Sequence, residues 1–214
     1  MTLLRKYFGV KLKVFLLRHG ETTGDIEDRY GGDYDDHLTE NGREESAELA
    51  KRLENKNIQK FFVSPRIRAI ETSLIIAKSV PGKYITLSEI RERNSYGVLT
   101  GLTKKEAQKK FEEEVEEIES NNPYHKLANA EDYFDFAERV LGAFNKTVEE
   151  EFENNTEAIA FITHGGPITA IFREILGFEL KGIKDCALFE LEYDGDGFEI
   201  IYAHDVKSIE AGLI

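Results

Sequence analysis

The sequence predicts an α/β fold, a three-layer α/β/α sandwich on a mostly parallel, doubly wound sheet. Short apolar runs of strand length alternate along the chain with segments whose apolar residues recur at helical spacing. The chain then closes with a strand–turn–strand pattern. Its 214 residues suit one domain. We therefore expect a single domain over 1–214, with a helical insert at about 104–155.

Three apolar runs predict the buried strands, at 13–17, 60–63 and 158–163. The first, KVFLL, has the length and the β-branched and aromatic content that favour a strand over a helix. A final pair of strands is predicted at 186–193 and 198–204, on either side of an Asp-Gly-Asp-Gly turn.

Helices are predicted between these strands. Thr39 is placed to cap a helix that reaches about Glu54. Ser64 is expected to cap the next helix, with Pro65 in its first turn. The apolar face of that helix would carry Ile67, Ile70, Leu74 and Ala77.

The segment 81–103 is rich in turn formers and is predicted to be an irregular loop. Thr103 and Glu106 are spaced as a capping box for a highly charged helix, whose glutamates we interpret as a solvated face. Further helices are expected at about 131–152 and at 167–176, the second of them stopping at a glycine.

The composition excludes several classes of function. The chain carries 28 Lys and Arg against 41 Asp and Glu, a net charge of −13, which argues against nucleic acid as a main partner. One cysteine, Cys186, excludes an intramolecular disulfide. No signal-peptide pattern is present, and no apolar stretch approaches the ~20 residues of a membrane span. We expect a cytoplasmic monomer or homodimer that does not engage membranes.

Unusual side chains follow three of the predicted strands. Arg18 and His19 follow the first, Ser64 and Arg68 the second, and His164 the third. Ligands of doubly wound sheets bind beyond the carboxyl ends of the strands, so these residues should meet. A lone histidine at a strand end is more often a partly buried structural side chain. Two at equivalent positions, each followed by glycine, favour a functional site.

This combination of residue types suits phosphate chemistry. The arginine fork matches phosphate oxygens and keeps its charge. A neutral imidazole can attack phosphorus and form a covalent intermediate. Positioning and charge neutralisation then supply most of the catalysis. No metal is needed if the arginines and a second histidine provide the positive charge, and we predict none.

Four segments resemble the signatures of the histidine phosphatase superfamily, which includes cofactor-dependent phosphoglycerate mutases and related acid and sugar phosphatases. They are LRHGET at 17–22, SPRIRAIET at 64–72, EIRERNSYGVLTG at 89–101 and ITHGGPI at 162–168. They occur in the family's order and span most of the chain. The resemblance implies the phosphoglycerate mutase-like form of the predicted fold.

The resemblance also implies catalytic roles. His19 would become the phosphohistidine, while Arg18 and Arg68 hold the phosphoryl oxygens. His164 would complete the pocket and stabilise the pentavalent transition state. Glu92 would protonate the leaving oxygen and later act as the base for water.

Further residues would contact substrate by the same resemblance. Glu21 and Thr22 follow the nucleophile as in the family, and Gly165 matches a position whose backbone N–H reaches the phosphate. Lys104 stands where mutases carry a substrate-binding lysine. The family often has asparagine at the position of Asp25, and a carboxylate there would repel phosphate unless it is turned away or paired.

Three functions remain open from the sequence. The first is a phosphatase of a small phosphorylated metabolite without a cofactor, because THGGPI is closer to the phosphatase form and the acid-rich insert lacks the paired arginines of mutases. The second is a phosphoglycerate mutase that uses 2,3-bisphosphoglycerate. The third is a non-catalytic module that binds a phosphorylated metabolite or a protein.

Overall fold

A computed structural model describes residues 9–119 and 127–211. Its centre is a six-stranded sheet with the order β3-β2-β4-β1-β5-β6. The strands are β1 (Leu12–Arg18), β2 (Lys60–Val63), β3 (Lys83–Thr86), β4 (Ala158–Thr163), β5 (Phe178–Tyr193) and β6 (Phe198–Ala211). The first four run parallel to their neighbours among themselves, and β5 and β6 add an antiparallel edge.

Helices fill the connections. They are α1 (Thr23–Ile26), α2 (Glu40–Leu53), α3 (Ile67–Ile76), α4 (Lys104–Lys110), α5 (Glu112–Glu119), α6 (Tyr133–Glu153) and α7 (Gly165–Ile171). Short 3₁₀ turns lie at Ser88–Ile90 and Gly97–Leu99, and α7 continues as a π-helical turn over Phe172–Leu176. None of the helices within these described ranges combines the length and apolar character that crossing a membrane requires.

Helices cover both faces of the sheet, which confirms the predicted class. Successive residues of a strand point to opposite faces. Val14 and Leu16 of β1 accordingly pack in one core with α6 and α7, and Phe15 and Leu17 pack in another with α2 and α3. All four side chains are fully buried. The α6 part of the predicted insert therefore lies on the sheet, while α4 and α5 belong to a separate small cluster; residues 120–126 of the insert lie outside the described residues.

Several predicted element ends agree with the structure. Thr39 caps α2 and accepts a hydrogen bond from the Gly42 N–H. Thr103 and Glu106 form the predicted capping box at the start of α4. Gly177 ends the helical segment after β4 with a left-handed φ of 72°.

The prediction of an irregular loop at 81–103 is wrong in part, because β3 lies within it. β3 pairs in parallel with β2 at one edge of the sheet. Its four residues are exposed or half-buried, so the sequence carries no apolar run to mark it. Strand formation here depends on the partner more than on the segment itself.

The predicted start and buried face of α3 are also wrong. The helix begins at Ile67, not at Pro65, and Arg66 occupies the capping position. Leu74 is 62% exposed and Ile70 is 37% exposed, whereas Arg68 is buried. α3 is therefore rotated so that its polar residues face the end of the sheet.

The last two strands are longer than predicted and irregular where they extend. The β5–β6 register shifts between Ile183 and Leu188. Cys186 and Asp205 adopt positive φ values of 53° and 59° in this region. Such bulges bend a strand and re-aim its side chains. The bulge lies beside the end of β1, because the Cys186 N–H donates to the His19 carbonyl at 3.0 Å.

Candidate active site

Three strand ends converge at one edge of the sheet, as the sequence predicts. β1 and β4 stay in register up to Arg18 opposite Thr163, and the His19 N–H then donates to the Thr163 carbonyl at 3.1 Å. His164 follows β4 and is fully buried, and His19 follows β1 with 5% of its surface exposed. The centroids of the two imidazole rings are 5.0 Å apart.

Arg68 lies between the two histidines. Its Nε is 3.2 Å from His19 Nε2 and 3.2 Å from His164 Nδ1. An arginine nitrogen can only donate, so both ring nitrogens facing it must be unprotonated acceptors. The position of Arg68 therefore determines the tautomer of each histidine.

His19 has the tautomer that a nucleophile needs. Its Nδ1–H donates to the Gly20 carbonyl at 2.8 Å, which leaves the Nε2 lone pair facing Arg68. Burial, with the Arg68 and Arg18 guanidinium groups, holds the pKa of His19 well below its usual range. The ring is therefore neutral at pH 7, and Nε2 is free to attack an electrophile.

His164 has the opposite tautomer. Its Nε2–H donates to the Ser64 hydroxyl at 2.6 Å, while Nδ1 accepts from Arg68. Burial and Arg68 hold the pKa of His164 well below its usual range. Ser64 is itself fully buried. The prediction that Ser64 caps α3 is wrong: its oxygen orients His164, and the helix starts three residues later.

The guanidinium of Arg68 is held by the loop before α2. Its terminal nitrogens donate to the Tyr34 carbonyl at 2.7 Å, to Asp36 Oδ1 at 2.8 Å and to the Gly32 carbonyl at 3.0 Å. Asp36 is 8% exposed and balances the buried charge of Arg68. The sequence analysis missed Asp36, because its acidic segment shows no spacing that relates it to an arginine in another element.

Glu92 reaches the same site from the loop after β3. Its Oε2 accepts from the Gly166 N–H at 3.1 Å, in the first turn of α7. A Cβ on Gly166 would lie 2.1 Å from Glu92 Oε1, so a larger residue here would displace the end of the Glu92 side chain. Arg139 of α6 fixes the loop by donating to the Glu92 carbonyl at 3.1 Å and pairing with Glu131 at 2.6 Å.

These side chains surround a small cavity of about 140 Å³. Its lining includes Arg18, His19, Thr22, Arg68 and Glu92. The structure thus places the predicted nucleophile, both predicted phosphate-binding arginines and the predicted acid around one space. His164 lies behind it against His19 and Arg68.

Arg18 crosses from β1 to the bulge of β5. One terminal nitrogen donates to the Ile183 carbonyl at 2.6 Å, and the other lies 2.9 Å from Asp185 Oδ1. Sequence reasoning missed Asp185. It lies far along the chain from Arg18, and no motif links the two.

Thr22 lies in the cavity lining and caps α1. Its N–H and hydroxyl both donate to Asp25 Oδ2, at 2.9 and 2.7 Å. Asp25 is thus hydrogen-bonded but also lines the cavity at His19, so the expectation that a carboxylate here is turned away or paired with a cation is not met. Gly165 begins α7 and has open space where a Cβ would lie.

Two predicted substrate-binding side chains point elsewhere. Glu21 Oε1 accepts from the Thr39 hydroxyl at 2.6 Å, beside the start of α2. The Lys104 ammonium lies 3.3 Å from the centroid of the Tyr30 ring. Neither residue lines the cavity at His19. Their substrate contacts remain predictions that this arrangement does not support.

Known proteins have similar sequences and folds. The family model of the histidine phosphatase superfamily (branch 1) matches residues 14–206. The chain is 30% identical over 166 residues to the metal-independent phosphoserine phosphatase of Arabidopsis thaliana, covering 76% of this chain and 68% of that protein. It is 28% identical over 205 residues to phosphoglycerate mutase-like protein 4 of the same plant, covering 92% and 87%.

A solved structure shows the same fold. YhfR of Bacillus stearothermophilus superposes with a TM-score of 0.73 at 24% identity, covering 88% of this chain and 95% of that one. At this identity the likeness establishes the architecture alone.

Proposed function

Because the chain belongs to the histidine phosphatase superfamily (branch 1), we propose that it is a phosphatase of small phosphorylated metabolites that works through a phosphohistidine at His19. One observation carries the proposal. The neutral Nε2 of His19 faces the Arg68 guanidinium inside a small cavity that Glu92 also lines. A nucleophile, a phosphate clamp and a carboxyl group for proton transfer thus share one space.

The first step transfers the phosphoryl group to the enzyme. His19 Nε2 forms a bond to phosphorus while the bond from phosphorus to the substrate oxygen breaks. His19 keeps its Nδ1 proton, which is hydrogen-bonded to the Gly20 carbonyl. Nε2 can therefore bond to phosphorus without the ring losing a proton. Glu92, in its protonated form, gives its proton to the departing oxygen.

The second step returns the enzyme to its starting state. Glu92, now a carboxylate, takes a proton from water as the water oxygen attacks phosphorus. The bond between phosphorus and His19 Nε2 breaks, and inorganic phosphate leaves. His19 is again neutral, and Glu92 again carries the proton that the next cycle needs.

His164 supports this clamp from behind the cavity. Its Nδ1 accepts from Arg68 Nε, and Ser64 keeps its Nε2–H in place. Burial and Arg68 hold the pKa of His164 well below its usual range. The neutral imidazole thus helps to hold Arg68, whose charge would stabilise the phosphoryl oxygens in the transition state.

The surroundings of the site favour a phosphatase over a mutase. Asp33 accepts from Arg66 Nε at 2.6 Å and from Arg91 Nε at 3.1 Å. Arg93 donates to the Glu131 carbonyl at 3.1 Å. These cations are engaged by protein acceptors. A mutase must hold a second anionic group and retain its bisphosphate intermediate in an enclosed basic site.

The mutase remains the second candidate because of the likeness to phosphoglycerate mutase-like protein 4. A single pair of assays separates the two. Purified protein should release inorganic phosphate from phosphomonoesters, such as phosphoserine, 3-phosphoglycerate and sugar phosphates. If it instead interconverts 3-phosphoglycerate and 2-phosphoglycerate faster than it releases phosphate, with 2,3-bisphosphoglycerate supplied, the phosphatase proposal is wrong.

The non-catalytic alternative predicts binding without turnover. It is disfavoured because Arg18, His19, Arg68 and His164 are all retained. Failure of the purified protein to hydrolyse any member of a phosphomonoester panel that it binds would restore it.

A further inference from the structure

Arg18 separates two cavities. It lines the small cavity at His19, and it also lines a larger one of about 650 Å³ between α2 and the bulge of β5. Asp185 lies on the side of the larger cavity and pairs with Arg18. The side chains are 21% and 24% exposed, so water has limited access to the pair.

One donor of Arg18 has no acceptor. Its Nε is buried and makes no hydrogen bond among the described residues. One terminal nitrogen donates to the Ile183 carbonyl, and the other forms an ion pair with Asp185 Oδ1, which is itself buried without a hydrogen bond among those residues. A buried N–H without an acceptor is costly and calls for an explanation. A phosphoryl oxygen held at His19 would supply the missing acceptor, since Arg18 lines that cavity.

Asp185 is fixed relative to the nucleophile. It precedes Cys186, whose N–H donates to the His19 carbonyl at 3.0 Å. The main chain of the bulge is thus tied to the residue that attacks phosphorus. Asp185 can therefore hold the guanidinium of Arg18 at a set position with respect to His19.

We propose that Asp185 is a positioning residue, which anchors the Arg18 guanidinium so that its free Nε–H meets the phosphoryl group at His19. This inference rests on the proposed function of that site. Asp185 itself touches no substrate and acts through Arg18. If the ion pair between Arg18 and Asp185 had no part in positioning Arg18, substitution of Asp185 would leave the affinity for phosphate unchanged.

The ionisation of Asp185 supports the assignment. Burial raises the pKa of Asp185 to about 6, although Arg18 opposes the rise. The charged groups that face it or share its cavity are Arg18, Glu21, Asp25, Glu44, Glu45, Glu48, Arg52, Lys184 and Asp205. As the pH falls through about 6, the carboxyl group becomes protonated and the charged anchor is lost.

The direction in which Asp185→Asn changes the affinity for phosphate distinguishes between two roles of Asp185. If Asp185 acted only through its negative charge, Asp185→Asn would strengthen the binding of an anion. Anchoring predicts the opposite, a weaker binding of phosphate. The amide keeps the size of the side chain and an oxygen dipole beside the Arg18 guanidinium, so the loss should be smaller in Asp185→Asn than in Asp185→Ala.

The test is titration calorimetry of the purified full chain with inorganic phosphate. We expect Kd to rise about threefold in Asp185→Asn and about tenfold in Asp185→Ala at about pH 7.5. The ratio of Asp185→Asn to wild type should approach one at about pH 5, because the wild-type carboxyl group is then protonated. Taking the ratio cancels the ionisation of phosphate itself. Asp205→Asn is the matched control, since Asp205 lines the same cavity and pairs with Lys184 at 3.6 Å, and it should leave Kd unchanged.

A double-mutant cycle shows whether Asp185 acts through Arg18. Adding Asp185→Ala to Arg18→Ala should cost nothing further in phosphate affinity. An equal loss in both backgrounds, or tighter binding in Asp185→Asn, would overturn the proposal. Thermal unfolding of each variant shows that it is folded. Hydrolysis of p-nitrophenyl phosphate is measured separately. If wild type binds phosphate but does not hydrolyse this ester, the proposed phosphatase function is wrong. The double-mutant cycle for phosphate binding still shows whether Asp185 acts through Arg18.

Discussion

At the scale of single residues, hydrogen bonds determine which nitrogen of each histidine is protonated. The Gly20 carbonyl accepts a hydrogen bond from His19 Nδ1–H, and the Ser64 hydroxyl oxygen accepts one from His164 Nε2–H. Arg68 faces the two remaining nitrogens. The contacts of the folded chain therefore set both tautomers, and they leave a lone pair on His19 Nε2.

Ser64→Ala tests the orientation of His164. It leaves the Nε2–H of a fully buried imidazole without an acceptor, so we expect a loss of about 1–3 kcal/mol in the free energy of unfolding. We also expect kcat/KM to fall by about tenfold or more, because the ring is free to change tautomer. Urea unfolding and steady-state kinetics measure both.

Ser73→Ala on α3 is the matched control. Ser73 is also buried, but its hydroxyl donates to the Ile70 carbonyl at 2.7 Å, away from the histidines. It should leave kcat/KM near the wild-type value. Equal kinetics for the two alanine variants would show that Ser64 does not orient His164.

Gly166→Ala tests the placement of the predicted acid. The added Cβ would lie 2.1 Å from Glu92 Oε1 and must displace the carboxyl group. General acid–base catalysis is worth about 10²–10⁴-fold, so kcat should fall by at least about tenfold. Gly142→Ala, where the Cβ meets nothing within 4 Å, is the control and should leave kcat unchanged. An active Gly166→Ala would remove Glu92 from the mechanism.

The sequence identified part of this residue-scale picture. Arg18, His19, Arg68 and His164 stand out because each lies at or soon after the end of a predicted strand, in a recognisable motif. Asp36 and Asp185 do not, since a carboxylate that balances a buried arginine is chosen by the folded chain and not by spacing along it. The sequence singles out Ser64 but predicts the wrong role for it, because a serine followed by proline is typical of the start of a helix.

At the scale of elements, the phase of α3 decides which side chains meet the site. The helix buries Arg68, Thr72 and Ile76, and it exposes the apolar residues that were predicted to be buried. Hydrophobic periodicity failed here because this side of the helix carries Arg68 and Thr72, whose partners are His19, His164 and the Gly20 N–H. β3 was not predicted for a different reason. It is an edge strand whose residues are exposed or half-buried, so it has no apolar run to indicate it.

Two identical substitutions on α3 test this phase. Ile76 is fully buried and Ile70 is 37% exposed. Ile76→Ala should lower the free energy of unfolding by about 2–5 kcal/mol, because it leaves a cavity in the core. Ile70→Ala should cost distinctly less. Urea unfolding compares them directly, and a larger loss for Ile70→Ala would restore the predicted face.

At the scale of the whole molecule, the alternation of strands and helices was sufficient to predict the layers and the edge at which the site lies. The parallel order places the ends of β1, β2 and β4 side by side. The extent of β5 and its bulge was not predictable from the segment alone, because it depends on pairing with β6 over a shifted register. That bulge nevertheless supplies the anchor of Arg18.

The buried histidines also affect the stability of the whole chain. Burial and Arg68 hold the pKa of His19 and His164 well below the usual range. An unfolded histidine protonates near pH 6.5, so below about that pH the unfolded chain binds protons that the native chain does not. The two histidines therefore stabilise the native state above the pKa of unfolded histidine. This stabilisation is lost as the pH falls toward the lower pKa values of the native histidines.

Unfolding at two pH values measures this loss. The free energy of unfolding should decrease between about pH 7.5 and pH 5, and the decrease should be smaller in a variant that carries both His19→Asn and His164→Asn. Other groups titrate equally in both proteins, so the difference between the two slopes isolates the histidines. Equal slopes would mean that the native imidazoles protonate normally.

If His19 carries the phosphoryl group, rapid quench with a ³²P-labelled phosphomonoester should trap a labelled protein. Phosphohistidine is labile in acid and stable in alkali, so we expect the label in wild type to have that stability. The same label should appear in His204→Ala, because His204 lies on β6 beside Asp205, away from the cavity at His19. It should be absent from His19→Ala. A label that persists in His19→Ala, or one that survives acid and is lost in alkali, would show that His19 is not the phosphoryl carrier.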